Sequence, residues 1–320
     1  MPSASVPPSS ATLSRLATID LGTNTVRLLV VEAQGREWRP LLEAQRVTRL
    51  GEGQAASGML GEAPMGRTAS VVAEFVRQAE ALGALEIRIV GTSAVREAPN
   101  RSDFVARVRS VSGRSVEVIS GHDEARLTLA GVAAGLPALG GSLLLVDIGG
   151  GSTEFVLAEA GRATEAVSLR LGVVALAERH MDAGPVDPDR YLAMDAVIRE
   201  ALAAGLEADI VRSRAPALVG SAGTMTTLAA LDLGLHAYDA GRVHGHRLTR
   251  QSVEALLGRL CGLSVAERAA LPCLEPGRAD LIVPGTAICL AIFEHLGFDA
   301  LTVSDRGLRE GMLCEILIGT

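Results

Sequence analysis

The chain has 320 residues, of which 48% are apolar and 21% are charged, and its formal net charge at pH 7 is −7. This composition is typical of a globular protein with a core, and the length predicts two domains. With five Phe, two Tyr, one Trp and no net positive charge, the sequence argues against a nucleic-acid-binding surface. No position is a lysine, which excludes a Walker-A P-loop, a protein kinase and a Schiff-base enzyme.

The N-terminus and the cysteines indicate a cytoplasmic protein. Residues 1–15 are rich in Ser, Pro and Ala and predict a disordered tail rather than a signal peptide. No stretch approaches 18 consecutive apolar residues, so we expect no membrane span. The four cysteines lack C-x-x-C spacing and lie in apolar segments, which predicts buried free thiols in a reducing compartment.

Strand and helix patterns alternate along the chain, which predicts an α/β fold. A breaker-rich link at 135–142 separates two such series. In chain order, the predicted elements are strands at 17–19, 26–32 and 47–50, a helix at 68–82, a strand at 87–90, helices from 94 and over 104–111, a strand at 116–119, a helix reaching 134, and strands at 143–147 and 153–158.

The second series repeats the first. Residues 19–25 align with residues 146–152, 127 positions later, and residues 89–92 align with residues 218–221, 129 positions later. Two matched pairs in nearly constant register indicate an internal duplication. We therefore expect two similar domains, each with a strand–turn–strand loop, facing each other across a cleft.

Four turns rich in Gly, Ser and Thr occur at 22–25, 91–93, 149–153 and 220–224. Such turns expose backbone N–H groups and hydroxyls to phosphate oxygens, although a single one is more often only a turn. Four in a symmetric arrangement favour a phosphate chain held between the domains. Arg96 follows the second turn, and it is either a bidentate phosphate ligand or a solvated helix residue.

Acidic residues accompany these turns. Asp20 and Asp147 lie at matched strand ends, where each either binds a metal ion or water beside the phosphates or caps its turn. Glu154 follows its loop directly and is a candidate for the outer shell of the metal. The predicted metal ligands are thus Asp147, Asp20 and Glu154.

The segment after the 116–119 strand offers a candidate general base. Ser120 and Asp123 have the spacing of a capping box, which assigns Asp123 a structural role at the start of a helix. Glu124 is then free to point into the cleft and accept a proton from water. The alternative is that Glu124 only stabilises the helix dipole. His122 fits a loop position.

Seven segments together resemble the exopolyphosphatase/guanosine pentaphosphate phosphatase family. They fall in family order between about residues 16 and 316. The segments are 17–30, 91–96, 119–127, 146–154, 220–224, 283–285 and 304–311.

The resemblance implies two actin-like, ribonuclease-H-like domains with a cleft between them. We expect an N-terminal domain at 16–137, completed by a C-terminal helix at 306–320, and a C-terminal domain at 138–305. It also implies a homodimer. The chain lacks the C-terminal helical region of the long family members and so resembles the short, two-domain ones.

The resemblance further implies hydrolysis of terminal phosphate from inorganic polyphosphate, with pppGpp as the alternative substrate and Mg²⁺ or Mn²⁺ as the metal. Glu124 aligns with the catalytic base of the family, and Asp147 with the aspartate that helps hold the metal and the water. Asp123 departs from the family's usual Glu. The implied substrate ligands are Gly22, Thr23, Asn24, Thr25, Arg96, Gly149, Gly150, Gly151, Ser152, Thr153, Gly223 and Thr224.

Two other functions use the same turns. In an actin-like ATPase or sugar kinase they would hold ATP, and a non-catalytic sensor would bind (p)ppGpp or polyphosphate without turnover. The Glu124 motif favours hydrolysis over both. Because the net charge is negative, we expect local arginines such as Arg46, Arg49 and Arg67 to attract the substrate.

Overall fold

Two strands joined by a tight turn begin the first lobe of the protein. The computed structural model describes residues 13–136, 141–206 and 217–319. The first sheet has the order β3-β2-β1-β4-β5; β1, β2 and β3 are antiparallel, whereas β4 and β5 run parallel to β1. Its elements are β1 (Ser14–Leu21), β2 (Thr25–Gln34), β3 (Glu37–Val47), α1 (Gln54–Ser57), α2 (Glu62–Ala81), β4 (Glu86–Gly91), α3 (Ser93–Glu97), α4 (Arg101–Ser112) and β5 (Glu117–Val118).

The second lobe contains a six-stranded sheet of order β10-β11-β9-β6-β7-β8. A 3-10 helix at Pro276–Arg278 lies beside the cleft. The remaining elements are α5 (Gly121–Gly135), β6 (Ser142–Ile148), β7 (Thr153–Glu159), β8 (Arg162–Leu169), α6 (Val173–His180), α7 (Pro188–Gly205), β9 (Leu218–Ser221), α8 (Ala222–Asp232), α9 (Ala240–Val243), β10 (Arg247–Thr249), α10 (Arg250–Cys261), α11 (Val265–Ala269), α12 (Ile282–Leu296), β11 (Ala300–Val303) and α13 (Leu308–Gly319).

Five strands of each sheet share one topology. In each, an antiparallel hairpin is extended by a third antiparallel strand on one side and by two parallel strands on the other, and the second sheet adds the antiparallel strand β10 beyond β11. β1 corresponds to β6, β2 to β7, β3 to β8, β4 to β9 and β5 to β11. The α/β class, the duplication and the actin-like arrangement of two lobes are confirmed.

Alternation along β1 explains how the first sheet is covered on both faces. Ile19 and Leu21 pack in the cluster formed with α2 and α4, whereas Leu16 packs with Leu313 and Ile316 of α13. The C-terminal helix therefore packs on the first sheet.

Helix α5 lies between the two sheets. Leu129 and Val132 pack on Leu145 of the second sheet, and Leu127 packs with Val90 of the first sheet on another side of the helix. α5 also crosses α13 at very short range. A Cβ at Gly131 would collide with the carbonyl of Gly307, and one at Gly311 would collide with the carbonyl of Leu127.

Several predicted boundaries change. β1 begins at Ser14, so the predicted tail is too long; Arg15 belongs to the strand, and its guanidinium binds the Leu82 carbonyl at 2.9 Å. The predicted strand at 47–50 is wrong beyond Val47, because the N–H groups of Thr48 and Arg49 bind a turn instead of a strand. Residues 1–12 of the tail and 137–140 of the link lie outside the described residues.

Within the described part of the chain, none of the helices combines the length and the apolar character needed to cross a membrane.

Candidate active site

A cavity of about 700 Å³ lies between the lobes, where the turns that end β1 and β6 meet. Asp20 and Asp147 lie on its wall near the ends of these strands, and Glu124 lines it from the start of α5. Most of the residues implied as ligands also line it. They are Gly22, Thr23, Asn24, Thr25, Gly149, Gly150, Gly151, Ser152, Gly223 and Thr224.

Two equivalent turns form the centre of the cavity; we call residues 22–25 turn 1 and residues 149–152 turn 2. Each is closed by the same hydrogen bond: Gly22 N donates to Thr25 O at 3.1 Å, and Gly149 N donates to Ser152 O at 2.9 Å. The duplication seen in the sequence therefore extends to backbone hydrogen bonds.

The two turns touch each other. A Cβ at Gly151 would lie 2.6 Å from Ser93 Oγ and 2.7 Å from Thr23 Oγ1, and one at Gly150 would lie 2.9 Å from Thr23 Cβ. Because these distances are shorter than real Cβ contacts, only glycine fits. Bare backbone of turn 2 therefore faces the hydroxyl of Thr23 in turn 1 and that of Ser93 at the start of α3.

A third element on the cavity wall is the start of α8. Gly223 and Thr224 lie in its first turn. The N–H groups and the dipole of a helix N-terminus favour anions. A Cβ at Gly223 would collide with the guanidinium of Arg278 and would lie 3.0 Å from Arg27 Nη2. Two cations therefore lie beside this helix start.

Glu124 is positioned by the cap of α5. Ser120 Oγ accepts a hydrogen bond from Asp123 N at 3.1 Å and donates to Asp123 Oδ2 at 2.6 Å. The predicted capping role of Asp123 is thus confirmed, and the hydroxyl of Ser120 lowers the pKa of Asp123. Glu124 instead accepts from Arg96 Nη1 through Oε2, at 2.7 Å.

Burial raises the pKa of Glu124 well above its ordinary value. The charge of Glu154 raises it further, whereas Arg96 opposes the shift. A carboxylate with a raised pKa inside a cleft is a better general base than a solvated one, because its pKa lies closer to neutral pH.

Asp20 and Asp147 have opposite partners. In the strand register Asp20 lies across from Arg27, and Asp147 lies across from Glu154. Burial raises the pKa of both aspartates, and Arg27 opposes the rise in both. For Asp147 the charge of Glu154 adds to the effect of burial, and its pKa is raised to about 7.

The aspartates fit a divalent cation. Oδ1 of Asp20 is buried and has no hydrogen-bond partner, and Asp20 and Asp147 interact electrostatically. No set of three or more His, Cys, Asp or Glu within the described ranges could hold a metal by itself. Mg²⁺ in proteins commonly takes one or two carboxylates together with substrate phosphates and water. Two carboxylates beside two glycine-rich turns match this coordination pattern.

Three of the predicted residues do not line the cavity. Arg96 contacts Glu124 instead of open space, and its Nη1 also binds the Ile119 carbonyl at 3.2 Å. The hydroxyl of Thr153 is buried and donates to the Leu171 carbonyl at 2.6 Å, so it is not free for a phosphate. Glu154 is buried, and its Oε1 accepts from the Ser168 hydroxyl at 2.8 Å.

The arginines on the cavity wall differ from those expected. Arg46, Arg49 and Arg67 do not line it, since they pair with Glu74, Asp280 and Glu52 respectively. Among the described residues, the arginines that line the cavity are Arg27, Arg278 and Arg309.

Sequence reasoning could have found two of these three. Arg27 lies two positions beyond turn 1, and Arg309 lies in the 304–311 segment. Arg278 belongs to the 3-10 helix Pro276–Arg278, which lies outside all of the sequence motifs. Burial, together with the charge of Arg27, lowers the pKa of Arg278 to about 10.

The sequence is similar to those of known proteins along almost its whole length. A sequence model of the Ppx/GppA phosphatase family matches residues 29–318. The chain belongs to the Ppx/GppA phosphatase family. It is 34% identical over 318 residues to exopolyphosphatase 2 of Mycobacterium tuberculosis, covering 95% of this chain and 99% of that protein.

A second type of Ppx/GppA relative carries a different name. The guanosine-5′-triphosphate,3′-diphosphate pyrophosphatase of Aeromonas hydrophila is 31% identical over 304 residues, and the match covers 94% of this chain and 59% of that longer protein. Both names denote hydrolases of phosphoric anhydrides. The predicted family and enzyme class are confirmed.

Solved structures of the Ppx/GppA family share the fold. The Aquifex aeolicus PPX-GPPA enzyme superposes with a TM-score of 0.78 at 32% identity, covering 95% of this chain and all of that one. An exopolyphosphatase from Cytophaga hutchinsonii superposes with a TM-score of 0.87 at 26% identity, covering 96% and 99%.

Proposed function

We propose that the protein removes the terminal phosphate from inorganic polyphosphate, with Glu124 as the general base. The observation that carries this proposal is the position of Glu124: a carboxylate of raised pKa at the edge of a cavity lined by two glycine-rich turns and three arginines. The similarity to an exopolyphosphatase over nearly the whole chain supports the same substrate.

The terminal phosphoryl group would lie between turn 1 and turn 2. Backbone N–H groups of both turns, with the hydroxyls of Thr23 and Ser93, would bind its oxygens. Arg27 and Arg278 lie on the same cavity wall, where their charges match the next phosphates of the chain. These contacts fix the phosphorus atom for attack in line with the leaving oxygen.

Glu124 would orient a water molecule and take its proton as the oxygen attacks phosphorus. Arg96 holds the carboxylate in place and favours its ionised form, so that it can accept that proton. The shortened polyphosphate leaves with the bridging oxygen. Mg²⁺ or Mn²⁺ held by Asp20 and Asp147 would neutralise charge on the phosphate oxygens.

The second candidate substrate is pppGpp. Its support is the pyrophosphatase among the relatives and the side chain of Tyr238, the one aromatic group among the described residues that line the cavity. An aromatic face stacks on a base, and polyphosphate has none. Both substrates use the same base and the same turns.

The deciding experiment measures phosphate release with Mg²⁺ from long polyphosphate, short polyphosphate, pppGpp and ATP. We expect polyphosphate to give the highest kcat/KM, and Glu124→Gln to reduce it by about 100-fold or more. Asp123→Asn is the matched control, since it alters the neighbouring acid of the same helix turn. A higher kcat/KM for pppGpp would identify pppGpp, and not polyphosphate, as the substrate. Tight binding without turnover by the wild type would identify the protein as a sensor.

A further inference from the structure

The segment at 48–53 holds turn 1 from behind. The backbone N–H groups of Thr48 and Arg49 both donate to the Asn24 carbonyl at 2.9 Å, and Gly51 N donates to the Thr23 carbonyl at 2.9 Å. Arg49 has a φ of 50°, in the left-handed region that a residue with a side chain rarely adopts. Such a conformation persists only where its surroundings impose it.

The side chain of Arg49 crosses to the other lobe. Nη1 donates to Asp280 Oδ2 at 2.7 Å and Nη2 to Asp280 Oδ1 at 3.0 Å, which is the bidentate geometry of a strong ion pair. Nη2 also lies 3.4 Å from the Gly277 carbonyl. The hydrogen bond with Asp280 raises the pKa of Arg49.

The segment that receives Arg49 is part of the cavity wall. Gly277 and Asp280 lie in and just after the 3-10 helix Pro276–Arg278, whose last residue, Arg278, lines the cavity. Arg49 therefore connects the Asn24 carbonyl of turn 1, in the first lobe, with the 3-10 helix of the second lobe that carries Arg278.

Other contacts cross the cleft nearby. Gly53 N of the same segment donates to Glu178 Oε1 of α6 at 2.8 Å. Gln45 Nε2 donates to Glu275 Oε2 at 3.0 Å, and Val47 packs against Gly277. Both residues belong to β3, where Val47 lies across from Thr25 at the end of turn 1. These contacts are neutral or apolar on the first-lobe side, whereas Arg49 makes a bidentate ion pair and also binds the Asn24 carbonyl through its own N–H.

We propose that Arg49 is a positioning residue that couples closure of the cleft to the geometry of turn 1. When the lobes are closed, its ion pair with Asp280 sets the spacing between turn 1 and the 3-10 helix that bears Arg278. When the lobes are apart, turn 1 loses that restraint. Arg49 itself does not touch the substrate. The activity readout of this proposal rests on the proposed function.

The test compares two carboxylate variants made in the same background. Asp280→Asn keeps the shape of the side chain and removes its charge, and we expect it to raise KM for the preferred substrate about tenfold with kcat changed less than threefold. A loss confined to KM indicates weaker binding in the closed state, not damage to the chemical step. Asp280→Glu keeps the charge and should recover most of the affinity.

The matched control is Glu52→Gln. Glu52 belongs to the same segment, but its ion pair with Arg67 at 2.5 Å stays within the first lobe. We expect its KM to stay within twofold of the wild type. If Asp280→Asn does not fold, Arg49→Lys replaces it, since lysine keeps the charge but loses the bidentate geometry and should raise KM about threefold.

An Asp280→Asn variant with wild-type KM would overturn the proposal, and so would an equal rise of KM in Glu52→Gln. If the wild type hydrolyses none of the four substrates, the proposed function fails, and small-angle X-ray scattering then decides the role of Arg49. A larger radius of gyration in Asp280→Asn, absent from Glu52→Gln, would support it. Equal radii would refute it.

Discussion

The two hairpins at the cavity share their backbone but carry opposite charges at one register position. Asp20 lies across from Arg27 in the first lobe, and Asp147 lies across from Glu154 in the second, 127 residues later in both cases. The first pair is compensated, whereas the second places two carboxylates side by side. Duplication thus preserved the scaffold while the two copies took different electrostatic roles.

The turns of the two lobes also differ in the chemical groups that they present to the cavity. Turn 1 offers the side chains of Thr23 and Asn24, and turn 2 offers three glycines and Ser152. The first lobe therefore contributes hydroxyl and amide groups beside a compensated aspartate. The second lobe contributes bare backbone and an aspartate whose pKa is raised to about 7.

The strongest test of the different roles of the two turns is Gly151→Ala in turn 2. The added methyl group would lie 2.6 Å from Ser93 Oγ and 2.7 Å from Thr23 Oγ1 of turn 1, so turn 2 must move away from both side chains. Because a displacement of about 1 Å can cost about 100-fold in rate, we expect kcat/KM to fall by that factor. Gly258→Ala, with no atom within 4 Å of the added group, is the control. Activity within threefold of wild type would contradict a fixed contact between the turns.

Arg27→Gln should have the next largest effect. It removes the cation opposite Asp20 and one of the arginines on the cavity wall. We expect KM to rise about 10- to 30-fold with a smaller change in kcat, the scale of a lost charged hydrogen bond. Arg67→Gln, which loses an arginine outside the cavity, should leave KM unchanged. Equal effects of the two variants would remove the special role of Arg27.

Glu154→Gln should change the pH dependence of catalysis. Glu154 is the charge that contributes most to raising the pKa of Glu124, and the base must be ionised to act. Removing it lowers the pKa of Glu124, so the acid limb of kcat/KM should move to lower pH by about 0.5–1 unit. Arg27→Gln serves as the comparison, and its acid limb should stay in place. A limb moving to higher pH in Glu154→Gln would contradict this electrostatic account.

The smallest effect concerns stability without divalent cations. Asp147 has a folded pKa of about 7, above its ordinary 3.8, so the folded state binds its proton more tightly. The contribution of this group to the free energy of unfolding therefore falls as pH rises from about 4 to 7. At pH 8 with EDTA, Asp147→Asn should raise the free energy of unfolding by about 1–2 kcal/mol, and Asp20→Asn by less. The charge that acts most strongly on Asp20 is that of Arg27, whereas for Asp147 it is that of Glu154. Chemical denaturation measures both, and the reverse ranking would contradict the register argument.

Local motifs predicted the parts of the site that local geometry determines. The turns and the cap at Ser120 depend on hydrogen bonds between residues three apart, and such contacts are visible in sequence spacing. The duplication could also be predicted from the sequence, because the matched segments are separated by nearly the same number of residues in both copies.

Contacts that depend on tertiary packing were missed or misassigned. Arg278 reaches the cavity because its 3-10 helix packs against β3, more than 200 residues earlier in the chain. Residues 48–50 look like a strand in sequence, yet the carbonyl of Asn24 takes the N–H groups that a strand would use. Thr153 belongs to the glycine-rich motif of the second lobe, but in the folded protein its hydroxyl donates to the Leu171 carbonyl.

The crossing of α5 and α13 connects distant sequence changes to the chemistry. Gly131 lies seven residues from Glu124 on the same helix, which is about 10 Å along its axis. A residue with a side chain at Gly131 must displace α5 from the backbone of Gly307, and this displacement would move Glu124, the proposed base, at the start of the same helix. We therefore expect substitutions at this helix crossing to reduce turnover, although Gly131 does not line the cavity.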